Sequence, residues 1–524
     1  MKRLLLVVTA FAAAWAGACS SGGGSTITPP PPPAGFTNAS LKGSYVFSMT
    51  GSTADPTFGV SSFSRVGVFI ADGEGDIQTT GGLEDVHKFG TPNVFAITGG
   101  SYVVNADGRG TLSLATSGGT VQYSISLVSS TNGYMVDVDA GSNSTSDSET
   151  GSGSFLLQTS TTLATDTFVF DFSGIIPDNT GNPISIVGDF IPNSATGSGS
   201  FSIGSMEDVN DAGTVTSQAL IAGGSYETDN TNPGTGRGVA SLGGIDYVYY
   251  VIDGQHAQFM SIDEDTGAPG TIAGEAMAQQ AGTPNDVSSF SSSGFVFVMG
   301  GSGEGVPITR GGRFTATGGS LSNILTDYND GGSVKSIPLA NSGTITLDGD
   351  GSGRGTITYT DSVATYSWVF YLSSATQGVI QDDSNPNITI DGTLLAQTGA
   401  PFSSSSLAAN FAFNWSGVDS NGNEQDFVGS FVTAAASPNG MIDFNAFGSG
   451  KLFFNDQFDG AITVGGDGTG STGTHSTFVG SINGTPSSKF NYFAYIANPN
   501  SILLMGGAPA SQGVIAGVLT AQTP

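Results

Sequence analysis

Six arginines lie beyond residue 18, and three of them, Arg109, Arg237 and Arg354, occupy the same tripeptide, Gly-Arg-Gly. A guanidinium offers five donors in a rigid fork and stays charged, so a repeated arginine is a place to hold a carboxylate. That carboxylate could belong to an anionic ligand at the end of a strand, or to the chain itself. The chain supplies a matching set: Asp85, Asp208, Asp327 and Asp443 each open an Asp-x-(Asn/His) triplet. The expected role is therefore structural, with each arginine bridging strand ends to an aspartate of the set. A fourth tripeptide, Gly468-Thr469-Gly470, lacks the arginine although Asp443 is kept, so the pairing is not obligatory.

Other chemistry is sparser. Asp348-Gly349-Asp350-Gly351-Ser352-Gly353 follows the start of a calcium-binding EF-hand loop, but its twelfth position is Tyr359 rather than a glutamate, and no helix pattern flanks it. Acidic loops at Asp72-Gly73-Glu74-Gly75-Asp76 and Asp263-Glu264-Asp265 share no ligand pattern with it. Solvated hairpin turns are the expected account of all three, with weak calcium binding as the alternative, and no other cofactor is expected. No Gly-x-Ser-x-Gly elbow occurs, which removes the common esterase signature. His87, His256 and His475 stand at unrelated positions, and Cys19 is the sole cysteine, so neither a zinc site nor a redox pair is expected. Asp137 and Asp139 form a carboxylate pair of the kind glycosidases use, but such i, i+2 pairs are commonplace in acidic strands. The sequence reads as that of a non-enzyme.

The arginines and aspartates sit inside a larger repeat of five elements in fixed order, four times over. First comes an alternating strand opening at Tyr45, Phe168, Phe295 and Phe411 and ending at Gly51, Gly174, Gly301 and Gly417. Its alternate positions (Tyr45, Phe47, Met49 in the first copy; Phe411, Phe413, Trp415 in the last) are all aromatic or Met, so one face must be buried. Second is Gly-x-Phe (Gly67, Gly188, Gly312, Gly429), third the Asp-x-(Asn/His) triplet, and fourth Gly-Arg-Gly. Fifth is a closing Gly-x-x-x-x-Gln strand ending at Gln158, Gln279, Gln397 and Gln522.

The opening residues are 123, 127 and 116 positions apart, far more than a solenoid repeat and enough for a domain with its own core. The implied organisation is a targeting segment at 1–18, an anchor and proline-rich tether at 19–40, and β domains at 41–159, 163–280, 288–398 and 407–522. The first copy reads as eight strands near 43–51, 63–71, 76–82, 94–104, 109–116, 120–128, 133–139 and 152–158. Short turns between them imply antiparallel neighbours, so the predicted fold is all-β: four eight-stranded up-and-down barrels, with a two-sheet sandwich as the alternative. The Gly-x-aromatic opening strand is similar to that of lipocalin and avidin barrels. That resemblance implies a closed barrel and admits a small apolar ligand inside it. An eight-stranded barrel is also narrow enough for side chains to fill, and a filled aromatic core is the expectation.

The N-terminus supplies an address. Lys2 and Arg3 precede an apolar run from Leu4 to Trp15, long enough for a signal peptide and too short to span a bilayer. Ala16-Gly17-Ala18-Cys19 resembles the lipobox of bacterial lipoproteins, which implies acylation of Cys19, cleavage before it and anchoring to the membrane. Ala16 stands where leucine is more usual. Ser20 follows in place of an inner-membrane retention aspartate, favouring the outer membrane, and the five prolines Pro29 to Pro33 suit a stiff spacer. Without Lys2 and Arg3 the formal charge of −30 becomes −32, which repels nucleic acid. The resulting expectation is a cell-envelope lipoprotein whose β domains form an adhesive or scaffolding array, with extracellular polymers as partners. A small-ligand-binding barrel protein is the alternative, and a secreted hydrolase a more distant one.

Overall fold

The computed structural model describes residues 35–524 except 56–58, 139–148, 179, 195–196, 222–223, 266, 268, 337–341, 386, 434–438, 448–450, 466–475, 483–488 and 508–512. Nearly all of it is antiparallel strand, and the helical content among the described residues is three single 3-10 turns. The expected signal segment at 1–18, Cys19 and the proline run lie outside the described residues.

Each repeat builds its own sheet. In the first, third and fourth, eight strands close on themselves. The second is an open ten-stranded sheet, because its fourth strand is broken into Thr214–Leu220, bonded to the third strand, and Ser225–Thr228, bonded to the fifth. The third repeat has the same break, between Ser333–Ser336 and Gly343–Leu347, but Ser320↔Thr344 and Leu321↔Gly343 bridge it. The sandwich alternative is not the fold.

Two of the five motifs explain the barrel interiors. The aromatic that opens each first strand stacks on the Phe of Gly-x-Phe: ring centroids are 5.6 Å apart for Tyr45–Phe69, 5.3 Å for Phe168–Phe190 and Phe295–Phe314, and 5.6 Å for Phe411–Phe431. The next aromatic lies over the glycine of the same motif. A Cβ on Gly67, Gly188, Gly312 or Gly429 would fall 2.3–2.8 Å from the ring of Phe47, Phe170, Phe297 or Phe413. Glycine is there to admit a ring. Four separate aromatic cores result, one per repeat.

Two sequence expectations shift. The third strand of the first repeat is Gly82–Lys88, not 76–82. The Asp72 carboxylate collects the amides of Glu74, Gly75 and Asp76, which makes 72–76 a turn. The true strand does not alternate because Gly82 to His87 is buried on both faces, one toward the barrel and one toward a neighbouring repeat. The first repeat's core also takes in residues from the 19–40 segment. Phe36 and Leu41 belong to the first core, and the Asn38 carboxamide accepts from the Val104 amide. Apolar Phe36 outweighs the polar composition around it.

Candidate functional site: four seams of a closed ring

The outward faces of the barrels are not free. In each repeat one or more of the first three strands turn apolar side chains outward, and these meet the sixth or seventh strand of the next repeat. Val46, Val66, Val68 and Leu83 pack on Val248, Tyr250, Ile252 and Met260. Val169 and Val187 pack on Val369, Tyr371 and Val379, and Val296 and Val298 on Tyr495, Ala497, Leu503 and Met505. The series then returns to its start, for Val428 of the fourth repeat packs on Val136 and Val138 of the first. A head-to-tail contact that closes after four steps makes a ring.

The candidate polar residues lie in these seams. Asp85 of the first repeat takes a two-pronged bond from Arg237 of the second (Nε 2.8 Å, Nη2 2.7 Å) and a 2.6 Å bond from the Tyr250 hydroxyl. Asp208 of the second receives the same set from Arg354 (2.7 and 2.8 Å) and Tyr371 (2.6 Å) of the third. Asp327 of the third accepts from Tyr495 of the fourth at 2.7 Å. Arg109 of the first approaches Asp443 of the fourth at 3.5 Å and donates to Asn455 at 3.0 Å. Arg237, Arg354 and Arg109 thus each meet a repeated aspartate of a neighbouring repeat, and each also holds an aspartate of its own repeat: Asp229, Asp348 and Asp107. The Gly468-Thr469-Gly470 tripeptide lies outside the described residues.

The other repeated polar residues serve the same seams. The triplet's second polar residue reaches across: Asn210 to the Asp382 and Ile388 carbonyls, Asn329 to those of Gly506 and Gly513, and Asn445 to those of Asp137 and Glu149. His87 contacts the Ser261 carbonyl at 2.8 Å in that role. Each closing glutamine donates to the next repeat's turn: Gln158 to Thr235 and Val251, Gln279 to Ser352 and Leu372, Gln397 to Ile496, and Gln522 back to Asp107 and Leu127 of the first repeat. Tyr250, Tyr371 and Tyr495 escaped the sequence reading. They lie one strand beyond Gly-Arg-Gly, where the first repeat has Ser126, opposite Arg109 as Tyr250 is opposite Arg237, so the motif is incomplete.

Burial alone would lower the guanidinium pKa of Arg237 and Arg354, but the hydrogen bonds and charges of Asp85 and Asp208 more than offset it, and both are raised. Such pairs gain little net stability over apolar packing, because desolvation cancels most of the attraction. Their effect is to fix which face meets which.

Around the ring axis lies a cavity of about 790 Å3, walled by all four repeats. The glycines that end the opening strands line it. A Cβ on Gly51, Gly174, Gly301 or Gly417 would stand 2.0–2.3 Å from the carbonyl oxygen of Thr150, Thr271, Thr389 or Val514. The last three of these glycines have φ of 151–155°. Close approach of the first and last strands at the axis requires glycine there.

The calcium-like loop is otherwise employed. The Asp348 carboxylate holds Arg354 at 2.8 Å and Gln218 at 2.8 Å, while Asp350 accepts from the Ser352 amide and hydroxyl. Among the described residues no group of three His, Cys, Asp or Glu side chains could hold a metal ion. Of the other histidines, His256 lies 3.0 Å from Glu275 and His475 is outside the described residues.

No family model matches the chain, and no curated protein matches it. Among solved structures, kievitone hydratase from Nectria haematococca is 8% identical, over 46% of this chain and 92% of that one, with a TM-score of 0.20. Transferrin binding protein B from Haemophilus parasuis is 10% identical over 75% and 83%, with a TM-score of 0.18. The same protein from Neisseria meningitidis is 10% identical over 75% and 84%, also at 0.18. Likeness at this level carries no argument about function.

Proposed function

We propose that the protein is a non-enzymatic, lipid-anchored scaffold of the cell envelope in which four β domains act as one ring-shaped platform. The observation that carries this reading is the ring of seams. The repeated Arg, Asp, Asn and Gln side chains bind one repeat to the next, so the repetition serves assembly rather than turnover. A closed ring holds its four outer surfaces in fixed mutual positions, which suits multivalent contact with an extended polymer better than beads on a flexible string. The ring also brings the first and last described residues together, since Gly35 abuts Pro524. A tether rising from Cys19 would thus enter at the seam between the first and fourth repeats.

The test is fractionation. The native protein should sediment with outer membranes, and Cys19→Ser should move to the soluble fraction without loss of folding. A Cys19→Ser protein that stays acylated and membrane-bound would refute the anchor, and turnover of ester or polysaccharide substrates by the native protein would refute the non-enzymatic role.

A further inference from the structure

The second repeat is the open sheet, and its two ends differ. At one end stands Ser198–Ser200, which Asn193 covers: the Asn193 amide donates to the Ser200 carbonyl, and its side-chain oxygen accepts from the Ser200 amide, both at 3.1 Å. At the other end stands Thr214–Leu220, paired among the described residues with Met206–Asp211 alone. Thr214, Thr216 and Ser217 are exposed, and Leu220 at the end of the strand is 65% exposed. An uncovered edge presents free amides and carbonyls, a template for another strand.

Folded chains guard such edges with proline or lysine. The same half of the fourth strand carries Pro92 in the first repeat (Thr91–Val104), Lys335 in the third (Ser333–Ser336) and Lys451 in the fourth (Lys451–Thr463). Thr214–Leu220 has neither, and no charged residue occurs from Ala212 to Tyr226. Its one irregularity is a bulge, where Gln218, at φ 54°, turns its amide to the Asp208 carboxylate. The straight edge therefore runs from Thr214 to Ser217.

The hairpin turn decides which groups face outward. Asp211 and Thr214 flank a two-residue turn, Ala212 and Gly213, both of positive φ, so Thr214 bonds inward to Asp211. Alternation then turns the amides and carbonyls of Val215 and Ser217 outward. We propose that this edge pairs with the same edge of a second copy of the chain, antiparallel about a two-fold axis at Thr216. Val215 of each copy then faces Ser217 of the other, and each donates to and accepts from its opposite. Charge selects a second copy as the occupant: identical neutral strands meet with no like charges opposed, while the formal charge of −30 keeps the remaining surfaces of two copies apart. A two-fold contact also closes on itself, so the pairing stops at a dimer of rings.

Cross-linking of the full chain tests this. Cys19→Ser leaves no cysteine in the chain and no lipid to drive association. In that background Thr216→Cys sets two thiols in a non-hydrogen-bonded pair, with Cα atoms about 4.5 Å apart and within disulfide reach. Oxidation with copper phenanthroline should link it into a dimer. Thr214→Cys, exposed on the same face but at the end of the paired segment, should link at least tenfold less. Sedimentation velocity without oxidant should show a reversible dimer, weakened at least tenfold by Thr216→Lys and by Val215→Pro with the melting temperature unchanged. These two changes install the guards that the other repeats carry. A monomer at hundred-micromolar concentration, equal linking at the two cysteine positions, or a dimer indifferent to Thr216→Lys would overturn the proposal. Thr216→Lys decides alone if Val215→Pro does not fold.

Discussion

The Tyr371 hydroxyl donates a 2.6 Å hydrogen bond to Asp208, a residue 163 positions earlier that belongs to the preceding repeat. Arg354 grips the same carboxylate from the same side of the seam. Asp208→Ala should therefore strand a buried guanidinium and a buried phenol together, at a cost of about 3–5 kcal/mol. Arg354→Met in the Asp208→Ala background should restore part of that loss, because an apolar side chain needs no partner there. Denaturant unfolding of the two variants measures both numbers, and strictly additive losses would mean the pair does not act as a unit.

The aromatic cores predict a sharp contrast within one strand. Phe170 is 1% exposed, stacks on Phe172 at 4.6 Å and lies over Gly188. Phe170→Ala should cost about 3–5 kcal/mol through lost transfer energy and the cavity left behind. Ser173 points to the opposite face, beside the axial cavity, where it hydrogen-bonds Asp391. Ser173→Ala should cost only about 1 kcal/mol. Thermal unfolding of the two variants should show a large drop for the first and a small one for the second.

Much of the barrel was legible because bulky aromatics enter the core at alternate positions of each opening strand. Phe168, Phe170 and Phe172 alternate with residues that do not enter the core, and period-2 patterning reports that directly. The third strand was misplaced for the opposite reason. Glu84, Asp85 and His87 look like a loop, yet all are buried, since Asp85 and His87 bond residues of the next repeat. The Arg–Asp pairing was legible as chemistry but not as geometry. Repetition of Arg237 and Asp85 shows that each recurs, and cannot show that the partner of an aspartate is the arginine of the following copy. Ring closure was out of reach, because it depends on the sum of four interfacial rotations, and Gln522 looks the same whether or not its acceptors at Asp107 and Leu127 are near.

The seams also predict how a single repeat behaves. Residues 163–280 carry a complete aromatic core and should fold alone, with a β-rich circular dichroism spectrum. Excision uncovers Val169 and Val187 on one side and Val248, Tyr250, Ile252 and Met260 on the other. These two faces are complementary to each other's counterparts, so the fragment should self-associate head to tail. Analytical ultracentrifugation should show concentration-dependent oligomers, reduced by Val169→Lys, whereas a strictly monomeric fragment would mean that the seams contribute little.

Buried carboxyls give the last prediction, and its sign is fixed. Desolvation pushes Asp189 up to about 8, with the Asp350 charge adding to it, and pushes Glu207 and Asp383 up to about 7. Asp426, buried at the seam between the fourth and first repeats, is raised by desolvation to about 7 against the lowering effect of its Thr150 bond. An unfolded chain titrates these groups near 4. Between about 4 and about 8 the folded protein thus holds more protons than the unfolded chain, and raising the pH through that window favours unfolding. Glu149 and Asp229 are shifted the other way, since Arg65 and Lys88 on one, and hydrogen bonds from Thr231 and Asn232 on the other, outweigh desolvation. Their contribution is present above the unfolded pKa and disappears in acid, so stability should peak near pH 5. The melting temperature should accordingly be higher at pH 5 than at pH 8. General repulsion within a chain of formal charge −30 acts in the same direction, so a variant must separate the two. Asp426→Asn mimics the protonated acid at one position: it should raise the melting temperature at pH 8, leave it nearly unchanged at pH 5, and so narrow the gap. An equal shift at both pH values would assign the effect to net charge or packing instead of to the titration of Asp426.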